Sequence, residues 1–133
     1  MSSFQSQSTM DGAVLPVVIN VCNFSPPTKN TPSLLSSGEV KTLFHELGHA
    51  LHGLLSSVKY PSLSGTSVNR DYVEFPSQLM ENWGRDSQVV RDYAFHYETK
   101  EPIPAVLLKK WTLQVISTKV LQPHSIWLPP IWI

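Results

Sequence analysis

The chain has 133 residues and a formal net charge of 0, with 15% charged and 41% hydrophobic side chains. This balance is typical of a globular chain of at most one ordinary domain, and it indicates neither a nucleic acid nor an anionic membrane as a partner. No apolar stretch reaches the length of about 18 residues that a membrane span needs. Because the single cysteine, Cys22, cannot form an internal disulfide and no signal peptide opens the chain, we expect a cytoplasmic location.

The first third of the chain predicts a strand and a loop. Residues 1–13 are rich in serine and glutamine, and we expect them to be disordered. Residues 14–24 are β-branched and apolar with few breaks, which predicts a strand. Residues 25–37 are rich in proline and serine and predict a loop.

A long helix is predicted over residues 39–57. Its apolar residues recur three and four positions apart, which is the pattern of one buried helix face. Ser36 followed three residues later by Glu39 has the pattern of a capping box at the helix start. The rest of the chain is organised around this helix, because it carries the strongest chemical signal in the sequence.

That signal is the motif H-E-x-x-H, formed by residues 45–49. Residues four apart on a helix lie one above the other, so His45 and His49 can present two imidazoles to one zinc ion. Glu46 is placed to act as general base on a water. Gly48 leaves room for another chain or the metal to approach. A core helix with hydrogen-bonded histidines is the alternative, but the spacing and Glu46 favour a zinc site.

A third ligand must come from elsewhere in the chain. A metzincin would supply it from H-E-x-x-H-x-x-G-x-x-H, but His52 and Leu55 stand at the last Gly and His positions, which excludes that subclass. After a predicted loop or short hairpin at residues 58–69, a second helix is predicted over residues 71–83. A glutamate from a neighbouring helix would complete a two-His, one-Glu site. The candidate carboxylates are Asp71, Glu74 and Glu81.

Residues 44–83 resemble the zinc-site segment of the thimet oligopeptidase, oligopeptidase A and peptidyl-dipeptidase (dipeptidyl carboxypeptidase) family. That family has F-H-E-F-G-H, then a loop with S-G-T, then R-D-[FY]-V-E-x-P-S-Q. The chain matches these motifs except at Leu47, where phenylalanine is usual. The resemblance extends over residues 1–110, and V-C-N and V-E-F-P-S-Q are most similar to the peptidyl-dipeptidase branch.

The resemblance implies a mainly α-helical fold with a short β-strand region (α+β). The chain would then be an incomplete catalytic core of the zincin-like type. It places the third ligand on Glu74 and the catalytic base on Glu46. One Zn²⁺ per chain would be held by His45, His49 and Glu74. By the same resemblance Gly65 and Thr66 contact substrate, although an ordinary tight turn explains them equally well. Two later helical stretches, at residues 87–99 and 105–110, complete the predicted partial domain at residues 1–110.

The implied activity is hydrolysis of peptide bonds in short oligopeptides through a zinc-activated water. Family members are several times longer, and their further N- and C-terminal parts wall a substrate channel and supply a histidine and tyrosines for the oxyanion. Without those parts the chain is expected to be inactive. The first alternative is therefore a non-catalytic truncated remnant with a vestigial zinc site. A structural zinc module is disfavoured, because Glu46 would be idle and structural sites are usually rich in cysteine.

Residues 111–133 have a different character, with three of the four tryptophans, three prolines and no acidic residue. The prolines argue against a membrane-surface helix. Residues 111–133 can be back-translated into possible codons and each codon then read one base early. Permitted codon choices give an amino-acid string that contains F-N-Q-G and Y-L-A-A. That string resembles the next segment of the family, so we predict that residues 111–133 are an out-of-frame tail.

Sequencing the gene tests this hypothesis. We expect the nucleotides for residues 111–133 to encode the family-like string in the shifted frame, because a one-base insertion or deletion leaves the downstream bases in place. An encoding DNA that cannot give this string in that frame contradicts the hypothesis.

Overall fold

The fold is that of a computed structural model and is described for residues 1–110. The predicted tail lies outside the described residues. One compact unit contains residues 1–23 and 42–82, and a second contains residues 24–41 and 83–110. Helices predominate, and the described part has one two-stranded sheet, so a mainly α-helical chain with a short β region is confirmed. No helix within residues 1–110 has both the length and the apolar character to cross a membrane.

The sheet belongs to the first unit and pairs β1 (Ser2–Gln5) with β2 (Val17–Ile19) in antiparallel register. The prediction of disorder for residues 1–13 is therefore wrong for β1. A polar segment can form a strand because the ladder is made by backbone N–H and C=O groups, which every non-proline residue carries. The strand predicted over residues 14–24 is present but shorter.

The segment after β1 is tied to the loop that follows the long helix. The Gln7 side-chain oxygen accepts a hydrogen bond from the backbone N–H of Val58 at 2.8 Å. The Ser8 hydroxyl donates to the carbonyl of Lys59 at 3.0 Å. Both Gln7 and Ser8 are buried. These long-range bonds satisfy buried polar groups, which explains how a serine- and glutamine-rich segment is ordered.

The long helix, α1, spans Ser37–Leu54. Its start is the predicted capping box: the backbone N–H of Ser36 donates to Oε2 of Glu39 at 2.6 Å, and the N–H of Glu39 donates to Oγ of Ser36 at 3.3 Å. Reciprocal bonds of this kind satisfy N–H groups that have no partner inside the helix. The sequence therefore predicted the helix and its capping box, although the helix begins two residues earlier and ends three residues earlier than the predicted residues 39–57.

The second predicted helix is broken into α2 (Arg70–Val73) and α3 (Phe75–Glu81), a correction to the continuous helix expected over residues 71–83. Glu74 lies between them with φ −84° and ψ −7°. The break follows from Pro76, which has no N–H to donate to the carbonyl four residues earlier and whose ring would clash with that carbonyl. Proline at the first turn of α3 is well tolerated, so the chain restarts its helix there.

The second unit contains α4 (Ser87–Tyr93), which ends earlier than the predicted residue 99. The helix starts where the Asp86 carboxylate accepts from two backbone N–H groups. It ends because Ala94 is extended and Phe95 forms a bridge with Pro102. Residues 105–110 are helical, as predicted. The buried core of this unit consists of Val90, Ala94, Ile103 and Leu108.

The capping box predicts an acid-sensitive helix start. The backbone N–H of Ser36 lowers the pKa of the Glu39 carboxyl from its ordinary value of 4.5. Because the folded pKa lies below the unfolded one, the stabilisation is present above the unfolded pKa and is lost as pH falls through the folded pKa. We expect Glu39→Gln to lose less unfolding free energy than the parent between about pH 7 and about pH 3.

Urea unfolding followed by circular dichroism at the two pH values measures this difference. Glu101→Gln, in the loop before residues 105–110, is the matched control and should track the parent. Ser36→Ala, which removes the other half of the box, should lower stability by about 1 kcal/mol. If Glu39→Gln and the parent lose the same unfolding free energy on acidification, the stabilising role of the Glu39 carboxylate is contradicted.

Candidate metal centre

Three side chains of the first unit converge on one point. Nε2 of His45 lies 3.3 Å from Oε2 of Glu74, and Nε2 of His49 lies 3.4 Å from the same oxygen. The two imidazole rings meet edge to face, with centroids 4.8 Å apart. One ligand atom from each residue lies within 4.8 Å of the other two. The structure therefore brings together the three residues that the resemblance implied as ligands.

The long helix and the break before α3 explain this convergence. His45 and His49 lie one turn apart on α1, so their side chains point the same way. Glu74 comes from the junction between α2 and α3, where its backbone has a right-handed helical conformation. The ligands are thus supplied by a regular helix and by the residue that joins two short helices.

Gly48 permits the two parts of the site to come close enough. A Cβ on Gly48 would lie 2.5 Å from Cα of Ser77 and 2.6 Å from the carbonyl oxygen of Pro76, distances that real Cβ contacts do not show. The backbones of α1 and α3 therefore touch where α1 lacks a side chain. The space left by Gly48 is thus filled by another segment of the same chain.

The hydrogen bonding of His45 is compatible with a bound metal ion. Its Nδ1 lies 2.8 Å from Oε1 of Glu81. Because an ionised carboxylate only accepts, Nδ1 carries the proton, and in a neutral ring Nε2 then presents a lone pair towards Glu74. A lone pair that faces a carboxylate oxygen is repelled unless a proton or a metal lies between them. A divalent metal ion removes that repulsion.

Two of the three distances between the ligand atoms agree with those around a bound divalent metal ion. Ligand atoms at about 2.0–2.1 Å from a tetrahedral ion lie about 3.3 Å from one another. The separations from Oε2 of Glu74 to the two Nε2 atoms, 3.3 and 3.4 Å, have this value. Two imidazoles and one carboxylate form a donor set that divalent transition metals accept. The residues present therefore fit a metal ion bound by three protein ligands.

Glu46 follows His45 on α1 and is the acid that the motif assigns as base. Its Oε2 accepts a hydrogen bond from the α-ammonium group of Met1. That hydrogen bond is the largest influence that lowers the pKa of the Glu46 carboxyl, and the positive charge of the ammonium group adds to it. The carboxylate form, the one that can accept a proton, is favoured as a result.

The other two candidate carboxylates do not join the three ligands. Glu81 contacts the opposite nitrogen of His45, which makes it a partner of a ligand. Glu81 lies seven residues after Glu74 on the same side of the predicted helix, and this spacing was the sequence signal that placed it near the histidines. Asp71 lies elsewhere, on the wall of a separate cavity with Tyr72. The second ring nitrogen of His49 is buried without a hydrogen-bond partner in the described part of the chain.

Gly65 occupies a tight turn beside α1. Its φ is +56°, a left-handed conformation that favours glycine. Its N–H donates to Oγ of Ser56 at 3.1 Å, and a Cβ there would lie 3.0 Å from Cα of Gly53. The turn and the close packing are enough to require glycine at this position. Substrate contact by Gly65 and by the neighbouring, half-buried Thr66 stays a prediction.

Comparison with known proteins decides the family. Residues 1–122 match Peptidase family M3. The chain belongs to peptidase family M3. It is 46% identical over 110 residues to the dipeptidyl carboxypeptidases of Escherichia coli and Salmonella typhimurium. It is 44% identical over 115 residues to the mitochondrial intermediate peptidase of Candida glabrata. The family-level prediction from the zinc-site motifs is confirmed.

These alignments cover most of this chain but little of each relative. Each covers 83% of this chain, and the chain spans 16% of the length of the two dipeptidyl carboxypeptidases and 15% of the mitochondrial intermediate peptidase. The part shared with the M3 relatives includes the three converging side chains and Glu46. What a complete M3 peptidase does is therefore a proposal for this chain.

The hydrogen bond from His45 to Glu81 leads to a prediction about metal affinity. A carboxylate on the second nitrogen of a ligating histidine fixes its tautomer and increases its basicity. Glu81→Gln should therefore weaken metal binding about 10- to 100-fold. Competition with a chromophoric chelator gives the dissociation constant. Glu101→Gln, outside the site, is the control, and equal constants for the two variants would count against this role of Glu81.

Proposed function

We propose that residues 45–49 and Glu74 form the zinc centre of a peptidase that hydrolyses peptide bonds in short oligopeptides. The observation that carries this proposal is the convergence of His45, His49 and Glu74 on one point beside Glu46. Two-histidine, one-carboxylate sets also occur in iron enzymes. Membership of peptidase family M3 favours hydrolysis, and the motif with an adjacent glutamate favours zinc.

Each residue has a distinct proposed role. His45, His49 and Glu74 would hold the metal, and three protein ligands leave a fourth position open. Zinc in such a site supplies Lewis acidity, which polarises a peptide carbonyl and lowers the pKa of water towards 7. Glu46 would accept the proton of the attacking water at its carboxylate and later return it to the leaving amine.

The zincin-like architecture of the core is also part of this proposal. A helix that carries both histidines of H-E-x-x-H and a carboxylate from a following helix junction support it. The short sheet precedes α1 in the chain, in the order that the resemblance implied. A zinc-loaded crystal structure would test both the core architecture and the ligand set.

The names of the relatives describe two kinds of peptidase, dipeptidyl carboxypeptidase and mitochondrial intermediate peptidase. We extend to this chain only what the two share, which is cleavage of peptides. A cytoplasmic location is proposed from the unpaired thiol of Cys22, since disulfides are rare in reducing compartments. The word mitochondrial in some relatives' names gives the alternative, and immunolocalisation against an organelle marker distinguishes the two.

Further parts of a longer polypeptide are proposed as partners of this chain. The chain spans 16% of the length of its dipeptidyl carboxypeptidase relatives. Several large apolar side chains of the first unit are strongly exposed, among them Val21 at 79% and Leu55 at 77%. Apolar surface of this kind is usually covered by a partner. Loss of one oxyanion donor alone slows peptidases about 10²–10³-fold, so we expect this chain by itself to be inactive.

The second candidate is a remnant that lacks catalysis and whose zinc site is vestigial. Both candidates share the three converging side chains, so they differ in metal affinity and turnover rather than in geometry. A functional centre should hold one zinc ion per chain in the absence of excess metal. A vestigial centre should be stripped readily by a weak chelator.

Metal analysis of the purified 133-residue chain tests the proposal. We expect one zinc per chain, loss of that zinc in His45→Ala, His49→Ala and Glu74→Ala, and full zinc content in Glu46→Gln, because Glu46 is placed as a base rather than a ligand. Any peptide hydrolysis should fall about 10²–10⁴-fold in Glu46→Gln, the contribution of a general base. Circular dichroism of each variant establishes that it is folded.

His96→Ala is the matched control for the histidine variants, since His96 belongs to the second unit and is outside the metal cluster. Its zinc content should equal that of the parent. A folded parent chain without zinc would overturn the zinc centre. Zinc without hydrolysis would support a metal-binding core that needs further polypeptide for activity.

A further inference from the structure

Ser77 contacts the oxygen of Glu74 that faces both histidines. Its side chain is fully buried, with an exposed fraction of 0%. Its Oγ lies 2.9 Å from Oε2 of Glu74 and also 2.9 Å from the backbone carbonyl oxygen of the same residue. Because Oε2 is the atom 3.3 and 3.4 Å from the two Nε2 atoms, Ser77 touches the proposed ligand atom itself.

The single hydroxyl proton of Ser77 must choose between the two acceptors. The carbonyl of Glu74 already accepts the backbone N–H of Gln78 at 2.9 Å, as part of the first turn of α3. A hydrogen bond to an ionised carboxylate is roughly twice as strong as one to a neutral group. The hydroxyl therefore donates to Oε2, which keeps further lone pairs for a metal ion.

We propose that Ser77 is a positioning residue that holds Oε2 of Glu74 towards the two histidines. The inference rests on the proposed zinc centre. Glu74 needs such a restraint, because its side chain is 46% exposed and has several rotamers open to it, whereas Ser77 is immobilised by burial. Without the hydroxyl the carboxylate would have to be ordered at the moment of metal binding, which lowers affinity.

Gly48 is the second part of this arrangement. The Cα of Ser77 lies where a side chain on Gly48 would be, so Ser77 is buried against the backbone of α1 between the two ligating histidines. The absence of a side chain at Gly48 thus allows the hydroxyl of Ser77 to stay near the ligand cluster. The glycine inside H-E-L-G-H and the serine inside V-E-F-P-S-Q act together in this arrangement.

The test is the zinc dissociation constant of Ser77→Ala, measured on the full 133-residue chain by chelator competition. We expect affinity to fall about 10- to 100-fold, the usual effect of losing a hydrogen bond to a metal ligand. Ser64→Ala is the matched control: Ser64 is also buried, and its hydroxyl bonds Oγ of Ser56, away from the cluster. Its zinc affinity should equal that of the parent.

A double-mutant cycle separates positioning from general stability. The Glu74→Ala chain is not expected to retain zinc on purification, so its weaker affinity is measured by titration with added zinc. In that background Ser77→Ala should change the affinity less than about twofold, because the oxygen that it positions is absent. The visible spectrum of the cobalt-substituted chain, which reports ligand geometry, should change in Ser77→Ala and stay unchanged in Ser64→Ala. If Ser77→Ala does not fold, Ser77→Gly also lacks the hydroxyl and is assessed by the same measurements.

The outcomes are distinct. Folded Ser77→Ala with the zinc affinity of Ser64→Ala overturns the positioning role and leaves the zinc centre in place. An equal loss of zinc affinity from Ser77→Ala in the parent and in the Glu74→Ala background also overturns the positioning role, because the effect would then be structural. A parent chain that binds no zinc overturns the proposed function and this inference with it.

Discussion

The contact between Gly48 and the Pro76–Ser77 backbone is the constraint on which the candidate site depends. A side chain on Gly48 would clash with backbone atoms of α3, so the approach of α3 to α1 is possible only with glycine there. That approach brings a carboxylate from one segment within 3.4 Å of imidazoles from another. The site therefore depends on a backbone contact as much as on its three ligands.

Hydrogen bonds on the outer side of the ligands complete the arrangement. Glu81 accepts from the far nitrogen of His45, and Ser77 donates to Oε2 of Glu74. The bond to Glu81 leaves Nε2 of His45 free to present its lone pair towards Oε2 of Glu74. Hydrogen bonds that orient ligands in this way favour metal binding, on which the proposed peptidase chemistry depends.

Some expectations from sequence failed for physical reasons that can be named. The continuous helix over residues 71–83 ignored Pro76, which removes a helical hydrogen bond and places Glu74 at the junction between α2 and α3. The disorder expected for residues 1–13 was inferred from composition, yet β1 is held by backbone pairing with β2. Composition gives no information about long-range pairing, because pairing depends on which segment lies alongside.

The sequence by itself determined the local features: α1, its capping box, the spacing of His45 and His49, and the family. These depend on residues within a few positions of one another, so pattern is enough to find them. Among the three candidate carboxylates, spacing alone could not choose, and the resemblance selected Glu74. Only the tertiary structure decided that Glu74 faces the two histidines while Glu81 lies behind one of them, because that choice depends on how two helices pack at Gly48.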